Sequence, residues 1–386
     1  MIYFDNAATT KPLENSIDIF KEFMIEKYFN PASVSKKGLE IEKCIKNASD
    51  EISNIINCNS EEIYFTSGGS EGNNWAIFGI AEAYKRNGNH IITTTIEHPS
   101  ITEPLKTLEK KGYSVTYIPV DKKGYIDINI LNDSIKNETI LVSIMFANNE
   151  VGTIQNIEKI GKLIKSKNIN TIFHTDAVQA FGKSNIDVKK MNIDILTVSG
   201  HKFHAPKGTG FNYIKNRIKI KPLIYGGGQQ KNMRAGTENA FCALSLANST
   251  KNCYKNLKEN NEYIKKIKHN LLSGIYNNIS DIYINGDNIE NASPYILNIS
   301  FKGIKSEVLL NSLESRNIYV SSGSACNNSK KSFSQVLLAM NLDKDYIDSS
   351  IRFSFSKFNT IEETEQCIKE LCQIVPFLRK VQKMRG

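Results

Sequence analysis

The chain has 386 residues, 40% of them hydrophobic and 23% charged, with a formal net charge of +9. That length leaves room for two domains with sizeable cores, and no apolar run is long enough to cross a bilayer. The lysines are dispersed through Asn- and Ile-rich sequence rather than massed beside aromatic platforms, so the charge reads as a solvated surface and not as a nucleic-acid footprint.

The chain opens MIYFDNAATT, with no basic segment leading into an apolar stretch and a small-residue cleavage site, so the cytoplasm is the expected location. Short β-rich runs then alternate with helical stretches: EEIYFTSGG, a helix over 74–84, HIITTTIEH, a helix over 101–111 and YSVTYIPV. The order continues with TILVSIMFANNE, a helix over 157–167, TIFHTDA and DILTVSGHK. Strands separated by helices of this length predict an α/β fold, with a mostly parallel sheet covered on both faces. From about Lys251 the chain turns into a Lys/Asn-rich helical stretch followed by YILNISF and SSIRFSFSKF, which reads as a smaller α+β domain. Residues 321–334 form a polar Ser/Lys/Asn-rich loop. The seven cysteines, an odd number without CxxC spacing, argue against a disulfide framework or structural zinc.

Ligands of parallel sheets sit beyond the carboxyl ends of the strands, so the residues just after each apolar run are the candidates for chemistry. Thr66-Ser67-Gly68-Gly69-Ser70-Glu71 follows one strand and opens a helix, a turn whose free N–H groups attract a phosphate. It matches neither GxxxxGK[ST] nor GxGxxG, and an ordinary strand-to-helix turn is an equal reading. Val198-Ser199-Gly200-His201-Lys202 follows another. A lysine desolvated at such a strand end favours the neutral amine and Schiff-base chemistry with an aldehyde, although most lysines are solvated tails. Ser199 and His201 can reach a phosphate, and Asp176 ends TIFHTDA, where a carboxylate can keep a pyridine nitrogen protonated. Lys202 and Asp176 together fit pyridoxal phosphate.

His98 follows HIITTTIEH, placed to lie over a planar ring or to shuttle a proton, with a structural role nearly as good a reading. His201 and His204 lack a third ligand at helical spacing, so a metal pair is set aside. Asn148, Asn149 and Gln179 also stand after strands, where amides can hold a ring hydroxyl or a carboxylate. Arg352, in a period-two strand, suits a carboxylate by its planar fork, although spacing alone favours a solvent-facing arginine. Cys326 lies in the polar loop, whereas the other six cysteines mostly fall in helical patterns and read as small hydrophobes.

FDNAATT, FNPAS, FTSGGSEGNN, Glu97-His98, ANNEVG, HTDAVQ, SGHKFHAPKG, GGGQQKNMRAGTEN, SSGSAC and SIRFS follow one another in the order found in the cysteine desulfurases, and the chain resembles that family over nearly its whole length. SSGSAC is similar to the branch with the long cysteine loop. The resemblance implies a fold-type I pyridoxal-phosphate enzyme, with a large cofactor-binding domain over 15–250 and a small domain made of 1–14 with 251–386. It implies that Lys202 carries the cofactor as a Schiff base and moves the α-proton, that His98 stacks on the ring, and that Asp176 pairs with the pyridine nitrogen. Gln179 and Asn149 then lie near the phenolic oxygen. Gly69, Ser70, Ser199 and His201 hold the phosphate, joined by Thr237 of a neighbouring subunit, which makes the protein a homodimer. Arg352, with Asn149, binds the carboxylate of L-cysteine, and Cys326 attacks the substrate sulfur. A protein sulfur acceptor, in iron–sulfur cluster assembly or transfer-RNA thiolation, would receive the persulfide.

The chain departs from the family pattern at Ser70, where threonine is common, at His204 and Ala205, which replace tyrosine and glycine, and at Lys330-Lys331-Ser332-Phe333 in the cysteine loop. A selenocysteine lyase or related pyridoxal-phosphate aminotransferase is the nearest alternative, and an inactive iron–sulfur assembly scaffold the more distant one.

Overall fold

A computed structural model of the chain describes residues 1–287, 292–322 and 333–383. Twelve strands run through the described residues: β1 Ile2–Tyr3, β2 Ile63–Thr66, β3 His90–Thr94, β4 Ser114–Ile118, β5 Thr139–Ser143, β6 Ile172–Asp176, β7 Ile195–Ser199, β8 Gly210–Ile214, β9 Ile282–Asn285, β10 Ile296–Phe301, β11 Ile318–Tyr319 and β12 Ser350–Ser354. Seven of them make one sheet in the order β2-β8-β7-β6-β5-β3-β4. All neighbours in it are parallel except those of β8, which runs against both β2 and β7. β2 therefore points the same way as the parallel strands, and its end at Thr66 shares their carboxyl edge.

Successive residues of a strand face opposite sides of a sheet, and here each side is a core. Ile92, Val142, Phe173 and Leu196 enter one cluster of buried side chains, while their neighbours Ile91, Leu141, Ile172 and Ile195 enter the other. The central strands are accordingly apolar on both faces, the pattern of a parallel sheet covered by helices. β10 carries β12 and β9 on its two sides, both antiparallel, and this sheet builds a separate core from Phe4, Ile299, Phe301, Phe353 and the apolar face of the long helix Ile361–Lys383. β1 pairs with β11, so the N-terminal segment belongs to this second core.

The α/β expectation and the mostly parallel sheet are met, and the helix expected over 157–167 is Ile157–Lys167, capped by Asn156. Two helices begin earlier than expected. The one read over 74–84 starts at Gly69, and the one read over 101–111 spans Pro99–Glu109 with His98 as its cap and Pro99 in the first turn, where its missing N–H costs nothing.

Candidate active site

Apart from Arg352, Thr237 and Cys326, the expected residues end or follow β2, β3, β5, β6 and β7, whose ends share one edge of the sheet. After β2 the chain turns through Gly68, whose φ of 150° favours glycine, into the helix Gly69–Tyr84. Glu71 holds that turn: its carboxylate accepts from the Ser67 N–H at 2.9 Å and from Arg234 Nε and Nη2 at 2.9 and 3.2 Å. Burial raises its pKa, but these bonds more than offset that and keep it below the ordinary glutamate value. Ser199, at the end of β7, lies beside the turn: a Cβ on Gly68 would stand 3.3 Å from its hydroxyl, and one on Gly69 2.8 Å from Val178 Cγ2. The structure thus brings the glycine turn and Ser199 together as a narrow cradle at a helix N-terminus. Ser70 is exposed in its first turn.

Lys202 closes the short helical turn after β7, and its Nζ donates to the carbonyls of Ala7 and Ala8, both at 2.7 Å. His201 Nδ1 meets Thr9 Oγ1 at 3.1 Å, and its pKa is pushed down to about 4 by burial and then by the ammonium groups of Lys202, Lys207 and Lys183. The FDNAATT segment is therefore a wall of the site, held against the lysine turn. His204 belongs to the same seam: its Nδ1 meets the Lys11 carbonyl at 2.9 Å and its ring edge packs on Phe358.

Asp176 is buried at the end of β6, with Oδ1 accepting from the Val178 N–H at 2.9 Å and Oδ2 from Asn73 Nδ2 at 2.7 Å. Two residues earlier, His174 bridges Ser143 and Thr197 at 2.8 and 3.0 Å, and burial, driving its pKa down to about 3, keeps it neutral. It ties β5, β6 and β7 together behind the carboxylate. His98 is exposed at the surface; desolvation still lowers its pKa, Asp176 opposes that, and Lys202 adds to it.

Gln179 donates from Nε2 to the Ala7 carbonyl at 2.9 Å and accepts at Oε1 from the buried Lys183 at 3.0 Å. Arg352 is buried, contrary to the solvent-facing orientation that strand spacing favours. One Nη donates to Asp5 Oδ1 at 2.7 Å, the other to the Asn149 carbonyl at 3.0 Å, and Nε has no partner. The covering groups are remote in sequence, which is why spacing misses them. Asn148 is a turn residue: its side-chain oxygen accepts from the N–H groups of Glu150 and Val151, and its amide nitrogen is turned to Ile96. Thr237 is exposed, in a stretch fastened to β2 by the Gln230 amide, and joins none of the hydrogen bonds of the cradle. Cys326 lies outside the described residues.

Sequence reasoning missed Asp5, Asn73, Ser100 and Lys183. The doublet Asn73-Asn74 in a helix otherwise apolar on its buried side was the readable signal for the second of these, because a buried amide needs partners.

The aminotransferase class-V family model matches residues 2–367. A cysteine desulfurase IscS of Clostridium botulinum (strain Hall) is 42% identical over 381 residues, covering 98% of this chain and 96% of the relative. Among solved structures, a NifS-like protein superposes with a TM-score of 0.92 at 36% identity, covering 98% of this chain and all of that one. A structure described as SspA in complex with cysteine gives a TM-score of 0.82 at 31% identity, with 93% and 100% covered. With its lysine, carboxylate and histidine on one sheet edge and these relatives along its full length, the chain belongs to the cysteine desulfurases of the aminotransferase class-V family.

Proposed function

We propose that the protein is a pyridoxal-phosphate-dependent cysteine desulfurase that takes sulfur from L-cysteine, releases L-alanine and keeps the sulfur as a persulfide on Cys326. The observation that carries this reading is the convergence of Lys202, Asp176, His98 and the Gly68-Gly69/Ser199 cradle on one edge of the sheet.

The residues fit the cofactor. The cradle sets the first turn of a helix beside a hydroxyl, which suits a phosphate, and a side chain on Gly69 would crowd it. Asp176 is buried, bonded to the neutral donors above, and joins no ion pair among the described residues, which suits a protonated pyridine nitrogen. Gly69, Ser70, Ser199 and His201 would hold the phosphate, His98 would lie over the ring, and Gln179 and Asn149 would stand at the phenolic oxygen. When bound, pyridoxal phosphate supplies an electron-accepting ring that stabilises negative charge at the substrate α-carbon. The protein's own part is then to hold and move protons. Asp176 keeps the proton on the ring nitrogen, Lys202 Nζ takes the one on the α-carbon, and Arg352 fixes the substrate carboxylate that sets their geometry.

We assign the large domain to 15–250 and the small one to 1–14 with 251–386, in line with the separate cores of the two larger sheets. A homodimer is supported by an apolar surface that a lone chain leaves open. Ile17, Met24, Ile25, Tyr28, Val34 and Tyr225 are all more than half exposed, and Thr237 follows on the Tyr225 stretch, so that the partner subunit's Thr237 completes the phosphate site. Sedimentation at micromolar concentration is expected to give a dimer, and a fully active monomer would contradict this.

The persulfide sulfur would pass to an acceptor protein of iron–sulfur assembly or transfer-RNA thiolation, identified by trapping it on the persulfide-bearing enzyme. The activity itself is tested by supplying L-cysteine and a thiol reductant to the cofactor-loaded protein. Alanine and sulfide in equal amounts are expected. Turnover of selenocysteine with cysteine inert would identify a lyase instead, and neither product would sink the reading.

A further inference from the structure

We propose that Ser100 and Asn73 are positioning residues: they hold His98 as the neutral tautomer with its single hydrogen on Nε2, and they tie that tautomer to the negative charge of Asp176. The inference rests on the placement of His98 and Asp176 in the cofactor site proposed above.

One group at His98 has a polarity that cannot reverse. The backbone N–H of Ser100 lies 3.1 Å from His98 Nδ1, in the first turn of the helix that His98 caps. An amide N–H only donates, so Nδ1 presents its lone pair and the hydrogen of the neutral ring is on Nε2. The Ser100 hydroxyl lies 2.8 Å from the same Nδ1. Which way that hydroxyl points depends on its other neighbour, Asn73 Nδ2, at 2.8 Å.

Asn73 is itself oriented by Asp176. An ionised carboxylate has no hydrogen to give, so the amide face turned to Asp176 Oδ2 at 2.7 Å is the NH2 group. Its two hydrogens are then assigned, one to Asp176 and one to the Ser100 oxygen, which leaves the serine hydrogen to point at Nδ1. The amide oxygen of Asn73 is buried without a partner, which costs stability. Reversing the amide would set that oxygen against a carboxylate. The side chain thus accepts an unsatisfied carbonyl in order to keep both hydrogens in this chain.

Two consequences follow for proton movement. With Nδ1 occupied by two donors, the neutral ring of His98 presents its one hydrogen at Nε2, and protonation at Nδ1 requires those donors to give way. The tautomer is thereby linked through the Ser100 hydroxyl and the Asn73 amide to the Asp176 carboxylate. The charged groups acting on His98 are Asp176, at the end of β6, and Lys202, after β7.

The test is nitrogen NMR of the ring nitrogens of 15N-histidine-labelled protein without cofactor or substrate, His98 being assigned by its loss in His98→Gln. Wild type is expected to show a bare Nδ1 and a protonated Nε2. Ser100→Ala and Asn73→Ala leave the Ser100 backbone N–H as the one assured donor to Nδ1, so each is expected to shift part of the hydrogen from Nε2 to Nδ1 and to raise the His98 titration midpoint by about half a unit or more, since a donor to the neutral form is weakened. Ser100→Thr, which keeps both hydroxyl and N–H, is expected to restore the wild-type pattern. The signals of buried His174 report whether each variant is folded. Hydrogen on Nδ1 in wild type, or unchanged tautomer and midpoint in both folded variants, would overturn the proposal. A change in Ser100→Ala alone would remove the link to Asp176. Because no turnover is involved, failure of the desulfurase reading and failure of this one give different results.

Discussion

Replacing Lys202 with alanine is expected to remove the visible absorbance of the lysine-bound cofactor and to lower alanine production by at least about 10⁴-fold, the upper range for losing a positioned acid–base group. The fold should survive, because the Nζ contacts to the Ala7 and Ala8 carbonyls are two bonds in a seam that also contains Thr10 Oγ1 bonded to the His201 carbonyl and the His204 N–H bonded to Thr10 Oγ1. A rival amine makes the experiment sharper. Lys183 is buried against Gln179, and burial first, then the Lys202 ammonium, push its pKa down to about 7, so much of it is neutral near physiological pH. Its Nζ is engaged with Gln179 Oε1 at 3.0 Å and lies over the Tyr295 ring. Borohydride treatment of the loaded wild-type enzyme is therefore expected to fix the cofactor on Lys202. Label on Lys183, or a yellow and active Lys202→Ala protein, would show that the lysine is misassigned.

The sheet was legible wherever a strand is a five-residue apolar run ending in polar residues, as in Ile172–Asp176 and Ile195–Ser199, because burial on both faces leaves that imprint on composition. β8, Gly210–Ile214, escaped for the opposite reason. It begins on a glycine, and it carries Asn212, a buried amide spent on the Gly72 carbonyl at 3.0 Å. The residues that bear chemistry were legible as the first polar groups after each strand. Their supports were not, since hydrogen bonding does not follow chain order. Asn73 reaches Asp176 across 103 positions and Arg352 reaches Asp5 across 347. Glu97 illustrates the same limit: desolvation raises its pKa to about 8, so it is largely protonated at neutral pH, and it binds Thr94 and the Met145 N–H between two strand ends. Its neighbour His98 was readable as a site residue, whereas the need for a neutral carboxyl there is a property of the folded interior.

Replacing Cys326 with alanine is expected to give an enzyme that binds cofactor and changes its visible spectrum on adding L-cysteine, yet releases no alanine and carries no extra sulfur. The expectation rests on electron counting. The Cys326 thiolate bonds to the substrate sulfur, the carbon–sulfur bond breaks, and its electron pair stays with the carbon skeleton, which takes up a proton to become alanine. The sulfur stays on the protein as a persulfide, and no outside oxidant or reductant is needed. Without a thiolate the bond has no acceptor for its sulfur, so binding and proton removal proceed and the later step does not. Four of the cysteines in described positions are poorly suited to substitute: burial raises the thiol pKa of Cys242 and of Cys253 to about 11 and of Cys58 to about 12, and Cys367 is fully buried in the second core. These thiols are scarcely ionised at neutral pH, whereas attack requires the thiolate. Sequence places Cys326 five residues after Ser321, whose backbone pairs with that of Arg352, so the nucleophile is tethered to the strand that carries the proposed carboxylate anchor. Mass spectrometry of wild type after brief exposure to cysteine is expected to find one added sulfur on the peptide containing Cys326, and none in Cys326→Ala. Normal alanine release by the variant, or the added sulfur on Cys242 or Cys367, would show that another thiol is the nucleophile.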